Sequence, residues 1–167
     1  MDYYQHYELH VAKNSIWSFE TPTYDTIQNL NYIQEFGLFE AQTGYYTKRN
    51  HLRSFLLLIT TAGHGSLYYD KQHYHLAAGS ICFIDCTHYH EYQAEGEWTL
   101  FFLHANGNQL PYFFRRFYDD QDAVIDDQAL SRKLRDSMNT LNRAHRDGNT
   151  NEFVISTTIA EMLTNLV

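Results

Sequence analysis

Seven short runs of β-forming residues, separated by turn signals and with no helix-length stretch between them, occupy the chain from Gly37 to His104. They are Gly37 to Gln42, Arg53 to Thr60, Ser66 to Tyr69, His73 to Leu76, Ser80 to Ile84, His88 to Gln93 and Trp98 to His104. Gly44, Gly63 with Gly65, Asp70-Lys71, Gly79 and Gly96 punctuate them. Strands recurring every ~8–12 residues build an all-β sandwich or barrel, because a βαβ unit needs a helix between its strands. The run Phe55 to Ile59 is apolar at every position, so its strand is expected to be covered on both faces.

Near residue 120 the pattern changes to helical spacing. After Pro111 a short aromatic helix is expected over Tyr112 to Tyr118. From Asp126 to Arg146, Leu130, Leu134, Met138, Leu141 and His145 fall three or four residues apart, one apolar stripe stopped by Gly148. Asn149 or Thr150 can cap a last helix from Asn151 to Val167, giving an antiparallel two-helix hairpin. The expected division is an N-terminal arm over residues 1–15, a barrel over 16–120 and a helical segment over 121–167. Apolar residues on two faces of the last helix leave a surplus stripe for a partner. A homodimer is therefore expected through the hairpin, with Leu134, Leu141, Ile155, Ile159, Met162 and Leu163 as its contacts.

Charge and cysteine usage exclude several functions. Acidic residues outnumber basic ones 20 to 12, for a net charge of −8, so this chain by itself should be repelled by a phosphate backbone. Cys82 and Cys86, four apart on an expected strand, would lie about 13 Å apart, beyond bridging distance. Neither a secretory leader nor a run approaching ~18 apolar residues is present, which makes the cytoplasm the expected location and a membrane an unexpected partner.

Catalytic signatures are weak. Two His-x-His pairs, His73 with His75 and His88 with His90, could each chelate a metal from one strand face. Among 10 histidines, however, chance spacing accounts for much of this. No Gly-x-Ser-x-Gly elbow or phosphate-cradling loop occurs. What remains are residue types that grip a small polar ligand: Arg49, Arg53, His90 and Tyr92 for hydrogen bonds, with Trp98 and Phe102 as flat apolar surfaces.

The order of residues adds a resemblance. Arg53-Ser-Phe-Leu-Leu-Leu-Ile-Thr-Thr-Ala-Gly-His-Gly65, Leu67-Tyr-Tyr-Asp, Tyr74-His-Leu76, Gly79-Ser-Ile-Cys-Phe-Ile-Asp85, His90-Glu-Tyr92, Trp98 and Leu103-His-Ala-Asn-Gly107 together resemble the N-terminal effector-binding domain of AraC-family transcription regulators. The resemblance is good over residues 40–118 and looser into the helical end. It implies a mainly β chain with added helices: a cupin-like β-barrel, or double-stranded β-helix, followed by a two-helix hairpin used in dimerisation. It also implies a small-molecule sensor, commonly for a sugar, that reaches DNA only through a helix-turn-helix domain absent from this chain. No catalytic residue, metal or other cofactor is expected. The alternative is a small metal-dependent cupin enzyme, an isomerase or dioxygenase. Against it, Asn50 and Leu52 stand where metal cupins carry two histidines, and only His90 is in register.

Overall fold

In the computed structural model, which describes residues 3–167, two long bent strands organise everything else. Strand β5 (Phe55–Tyr69) and strand β8 (His90–Asn106) pair antiparallel along their lengths, Phe55 opposite Ala105 at one end and Tyr69 opposite His90 at the other. Around one half of this ribbon, β7 (Ser80–Asp85) pairs with β5, β3 (Tyr32–Ala41) with β8, β2 (Ile16–Phe19) with β3, and β9 (Val124–Asp126) with β7. Around the other half, β6 (Gln72–Ala77) pairs with β5, β4 (Tyr46–Asn50) with β8, and β1 (Tyr4–Glu8) with β4. The halves close on one another as the walls of a barrel. The expected mainly β chain with C-terminal helices is therefore what the structure shows.

Gly63 and Gly65 do not reverse the chain between two strands, and β5 runs straight through them. The pairing register slips between Thr60 and Ala62 and again between Gly63 and Gly65, so these glycines mark bulges that bend the strand into both walls. Gly63 has a φ of +64°, and an added Cβ would fall 1.9 Å from the Glu97 carbonyl oxygen. No residue with a side chain fits there. Likewise, the expected runs beginning at His88 and Trp98 are one strand, β8, which passes through Gly96.

Alternation along β5 separates two apolar layers. Leu56 and Leu58 point into the barrel with Leu67, Tyr92, Trp98, Leu100 and Phe102. Phe55, Leu57 and Ile59 point outward, against the helices. Those helices are α2 (Leu110–Gln121), α3 (Gln128–Arg146) and α4 (Glu152–Leu166), while a short α1 (Tyr24–Asn29) links β2 to β3. Asp127 caps α3, its Oδ1 accepting from the backbone N–H groups of Ala129 and Leu130 at 2.9 Å. Asn151, rather than Asn149 or Thr150, caps α4 in the same way through Phe153 and Val154.

The hairpin stripe has a different destination from the one its sequence implies. Leu134, Leu141, Ile159, Met162 and Leu163 are buried in the core of a single chain, and Ile155 packs half-buried against the same layer. The reason is that the outer wall of the barrel is itself apolar and needs this cover. The large apolar residues left exposed on α4 are Phe153 and Val154, in its first turn.

A candidate ligand pocket beneath the N-terminal strand

Between β1 and β2 lies a cavity of about 330 Å³. Gln5 and Tyr7 of β1, with Tyr3 just before it, edge the cavity, and Trp17 and Phe19 of β2 form an aromatic side wall; Tyr3, Tyr7 and Phe19 stay largely exposed, so this side is open to solvent. The Tyr7 and Trp17 rings meet edge to face, 6.1 Å between centroids, and Trp17 lies 5.0 Å from Phe19. The floor is polar: Glu35 from β3, Arg49 from β4, Ser54 just before β5, and His104 from β8.

These floor residues form one hydrogen-bonded chain. Arg49 Nη1 donates to Glu35 Oε1 at 2.5 Å and to His104 Nε2 at 2.9 Å. Trp17 Nε1 donates to Glu35 Oε2 at 3.0 Å. A guanidinium cannot accept, so His104 Nε2 is the acceptor and its proton sits on Nδ1, which reaches Ser54 Oγ at 3.1 Å. Burial, reinforced by the Arg49 charge, pushes the His104 pKa well below the usual histidine value, so the ring is neutral. A neutral imidazole between a cation and a hydroxyl can orient a bound molecule; with its proton on Nδ1, facing Ser54 Oγ at 3.1 Å and Cys86 Sγ at 3.9 Å, it is placed to donate to those groups rather than to take a proton from them.

Of the residues expected to bind a ligand, Arg49 alone lines this cavity. Arg53 is exposed, and it is its backbone carbonyl that takes part nearby, accepting from Gln34 Nε2 and Asn106 Nδ2. Tyr92, Trp98 and Phe102 fill the barrel interior together with Tyr45 and Phe39. Phe39 and Phe102 are 4.8 Å apart, and Trp98 Nε1 is satisfied by Thr60 Oγ1 at 3.0 Å. Packed aromatics leave the ligand-sized space at the barrel mouth instead. His90 is buried beside Tyr92, 6.3 Å away and nearly parallel, with Nδ1 against the His88 carbonyl and Nε2 without a partner.

His73 and His75 are exposed on β6, whereas His88 is exposed before β8 and His90 is buried at its start, so the second pair does not share a strand face. Among the described residues, no group of three or more His, Cys, Asp or Glu is arranged to hold a metal ion. Cys82 and Cys86 are free thiols, buried, with pKa values raised by that burial.

Glu35, Ser54 and His104 are the floor residues that sequence reasoning missed as ligand contacts. A signal for them existed: Glu35 interrupts the apolar Tyr32 to Ala41 strand, and His104 interrupts Phe101 to Ala105. A charged or polar side chain inside a strand that is otherwise core needs a buried partner, and each supplies one to Arg49.

No curated protein matches the chain in sequence. Among solved structures, the AraC-like transcriptional activator CuxR superposes with a TM-score of 0.58 at 8% identity, over 99% of this chain and 68% of that one. The protein YhaK from Escherichia coli gives 0.46 at 12% identity, over 58% and 45% of the two chains. A cupin superfamily protein from Desulfitobacterium hafniense gives 0.42 at 11%, over 55% and 77%. The model of the AraC-like ligand binding domain family matches residues 32–159, from the strand that carries Glu35 to the middle of the last helix, and the chain therefore belongs to that family.

Proposed function

We propose that this chain is the effector-sensing and dimerising part of a transcription regulator, binding a small sugar-like molecule reversibly and without turnover, and reaching DNA through a separate helix-turn-helix domain. The observation that carries this reading is the cavity itself: an aromatic wall for the apolar face of a ring, over a floor of hydrogen-bonding groups for its hydroxyls. Family membership supports the ligand-binding role. The net charge of −8 supports leaving DNA to another domain.

A thermal-shift and calorimetric panel of mono- and disaccharides tests the proposal. A bound sugar should alter Trp17 fluorescence, and Trp17→Leu, which removes both wall and a floor hydrogen bond, should weaken binding about 5- to 150-fold. Equal binding by the variant would place the ligand elsewhere. Metal at near-unit stoichiometry in protein purified without an affinity tag would instead favour the cupin-enzyme reading.

The dimer surface is proposed on the exposed start of α4. Phe153→Glu with Val154→Glu should halve the sedimenting mass while leaving the circular dichroism unchanged. An unchanged mass rejects that surface.

A further inference from the structure

Strand β3 carries an irregularity inside the pocket. Ile33 pairs with Ala105 and Glu35 with His104, so Gln34 has no residue opposite it and forms a bulge. A regular strand sends sequence neighbours to opposite faces, whereas a bulge re-aims them. Here both Gln34 and Glu35 line the same cavity.

The hydrogen-bond accounts of these groups are incomplete in a complementary way. Gln34 Nε2 is spent on the Arg53 carbonyl at 3.1 Å, while its Oε1 is buried with no partner. Arg49 commits Nη1 to Glu35 and His104, and its Nε is buried without a partner. A buried donor and a buried acceptor thus stand unused on two residues that line one cavity, although such groups are ordinarily paired.

The charge account, by contrast, is closed. Arg49 is matched by Glu35, and His104 lies between Arg49 and Ser54 as an acceptor and donor. An anion entering this floor would have to sit beside the Glu35 carboxylate or displace it from Arg49, and both are unfavourable at an ion pair whose two members are themselves nearly inaccessible to water.

We infer that the pocket selects an uncharged ligand, one whose hydroxyl or amide group donates to Gln34 Oε1 and accepts from Arg49, and that it rejects the carboxylate analogue of the same molecule. This rests on the cavity being the effector site. It adds that Gln34 and the Glu35–Arg49 pair set specificity there.

Matched pairs test it: D-galactose against D-galacturonate, and nicotinamide against nicotinate, with Trp17 emission reporting occupancy of the pocket. In the native protein the neutral member of a pair should bind at least tenfold more tightly. Gln34→Met, which leaves the ion pair intact, should weaken the neutral member at least fivefold. Glu35→Gln should shrink or reverse the preference. As a ligand-independent arm, acetate replacing chloride at equal ionic strength should raise the melting temperature of Glu35→Gln and leave that of the native protein unchanged.

An anionic member that binds the native protein as tightly as its neutral partner, with the Trp17 response present, overturns the inference and leaves the pocket standing. So does acetate stabilising both proteins equally. Binding with no Trp17 response removes the pocket reading itself. Should Glu35→Gln fail to fold, the native pairs and Gln34→Met still decide.

Discussion

Replacing Arg49 with Met is expected to cost about 3–5 kcal/mol of folding stability, and adding Glu35→Met to the same chain is expected to restore most of it. Both partners are nearly inaccessible, Arg49 at 5% and Glu35 at 8% exposure. Removing the guanidinium alone leaves a buried carboxylate whose remaining partner is Trp17 Nε1, and it also takes the donor from His104 Nε2. An apolar pair of similar volume leaves no such orphaned charge. Urea denaturation of the two variants measures the difference. A single-variant loss under about 1 kcal/mol would mean that water reaches the pair and screens it.

Acid is the second large lever. Burial depresses the His90 pKa to about 4, and that of His104 is also held far below its usual value. The groups facing His90 are Arg49, whose charge lowers its pKa, and Asp85, whose charge raises it. Both imidazoles are neutral in the folded chain and gain protons on unfolding below about pH 6.5. The unfolded state then binds more protons, so stability is full above that pH and falls as the pH drops. His90 alone then removes about 1.5 kcal/mol between pH 6.5 and 5, and His104 adds a loss of the same sign. A series of urea midpoints across this window should show the loss, and His90→Leu should roughly halve its slope. A flat profile would mean that the rings are already protonated in the native state.

Much of the architecture was legible because it rests on periodicity. The two-faced apolar run Phe55 to Ile59 is the wall shared by barrel and helices, and the stripe from Leu130 to Leu141 lies against it as α3. Gly44, Gly79 and Gly148 do stand at the turns expected of them, but at Gly63, Gly65 and Gly96 the reading failed. Gly63 and Gly65 supply the same conformational freedom to a bulge as to a turn, and composition cannot distinguish a strand that bends from one that ends. Strand β1 escaped notice for a different reason: Tyr-Gln-His-Tyr-Glu has no apolar alternation, since its inward residues face a cavity rather than core.

The pocket was harder to see than the fold. Arg49 was identified from residue type, but its partners come from β3 and β8, far away in sequence. The bulge at Gln34 shifts the inside-outside alternation along β3 by one residue, so a strict period of two misplaces either Gln34 or Glu35. Tyr92, Trp98 and Phe102 were singled out as ligand-gripping residue types, yet in the structure they pack against one another in the barrel interior, and large rings facing one another exclude a ligand as readily as they hold one.

Strand β5 contributes alternate side chains to the barrel interior and to the helical layer, and this joins the two regions thermodynamically. Undocking the helices would strip the outer face of β5 while its pairing with β7 and β8 remained, so the strand that walls the barrel would lose half of its apolar cover. A cavity opened at Leu134 or Met162 should therefore lower the unfolding free energy of the barrel together with that of the helices, and any molecule held only by the folded barrel should offset part of that loss.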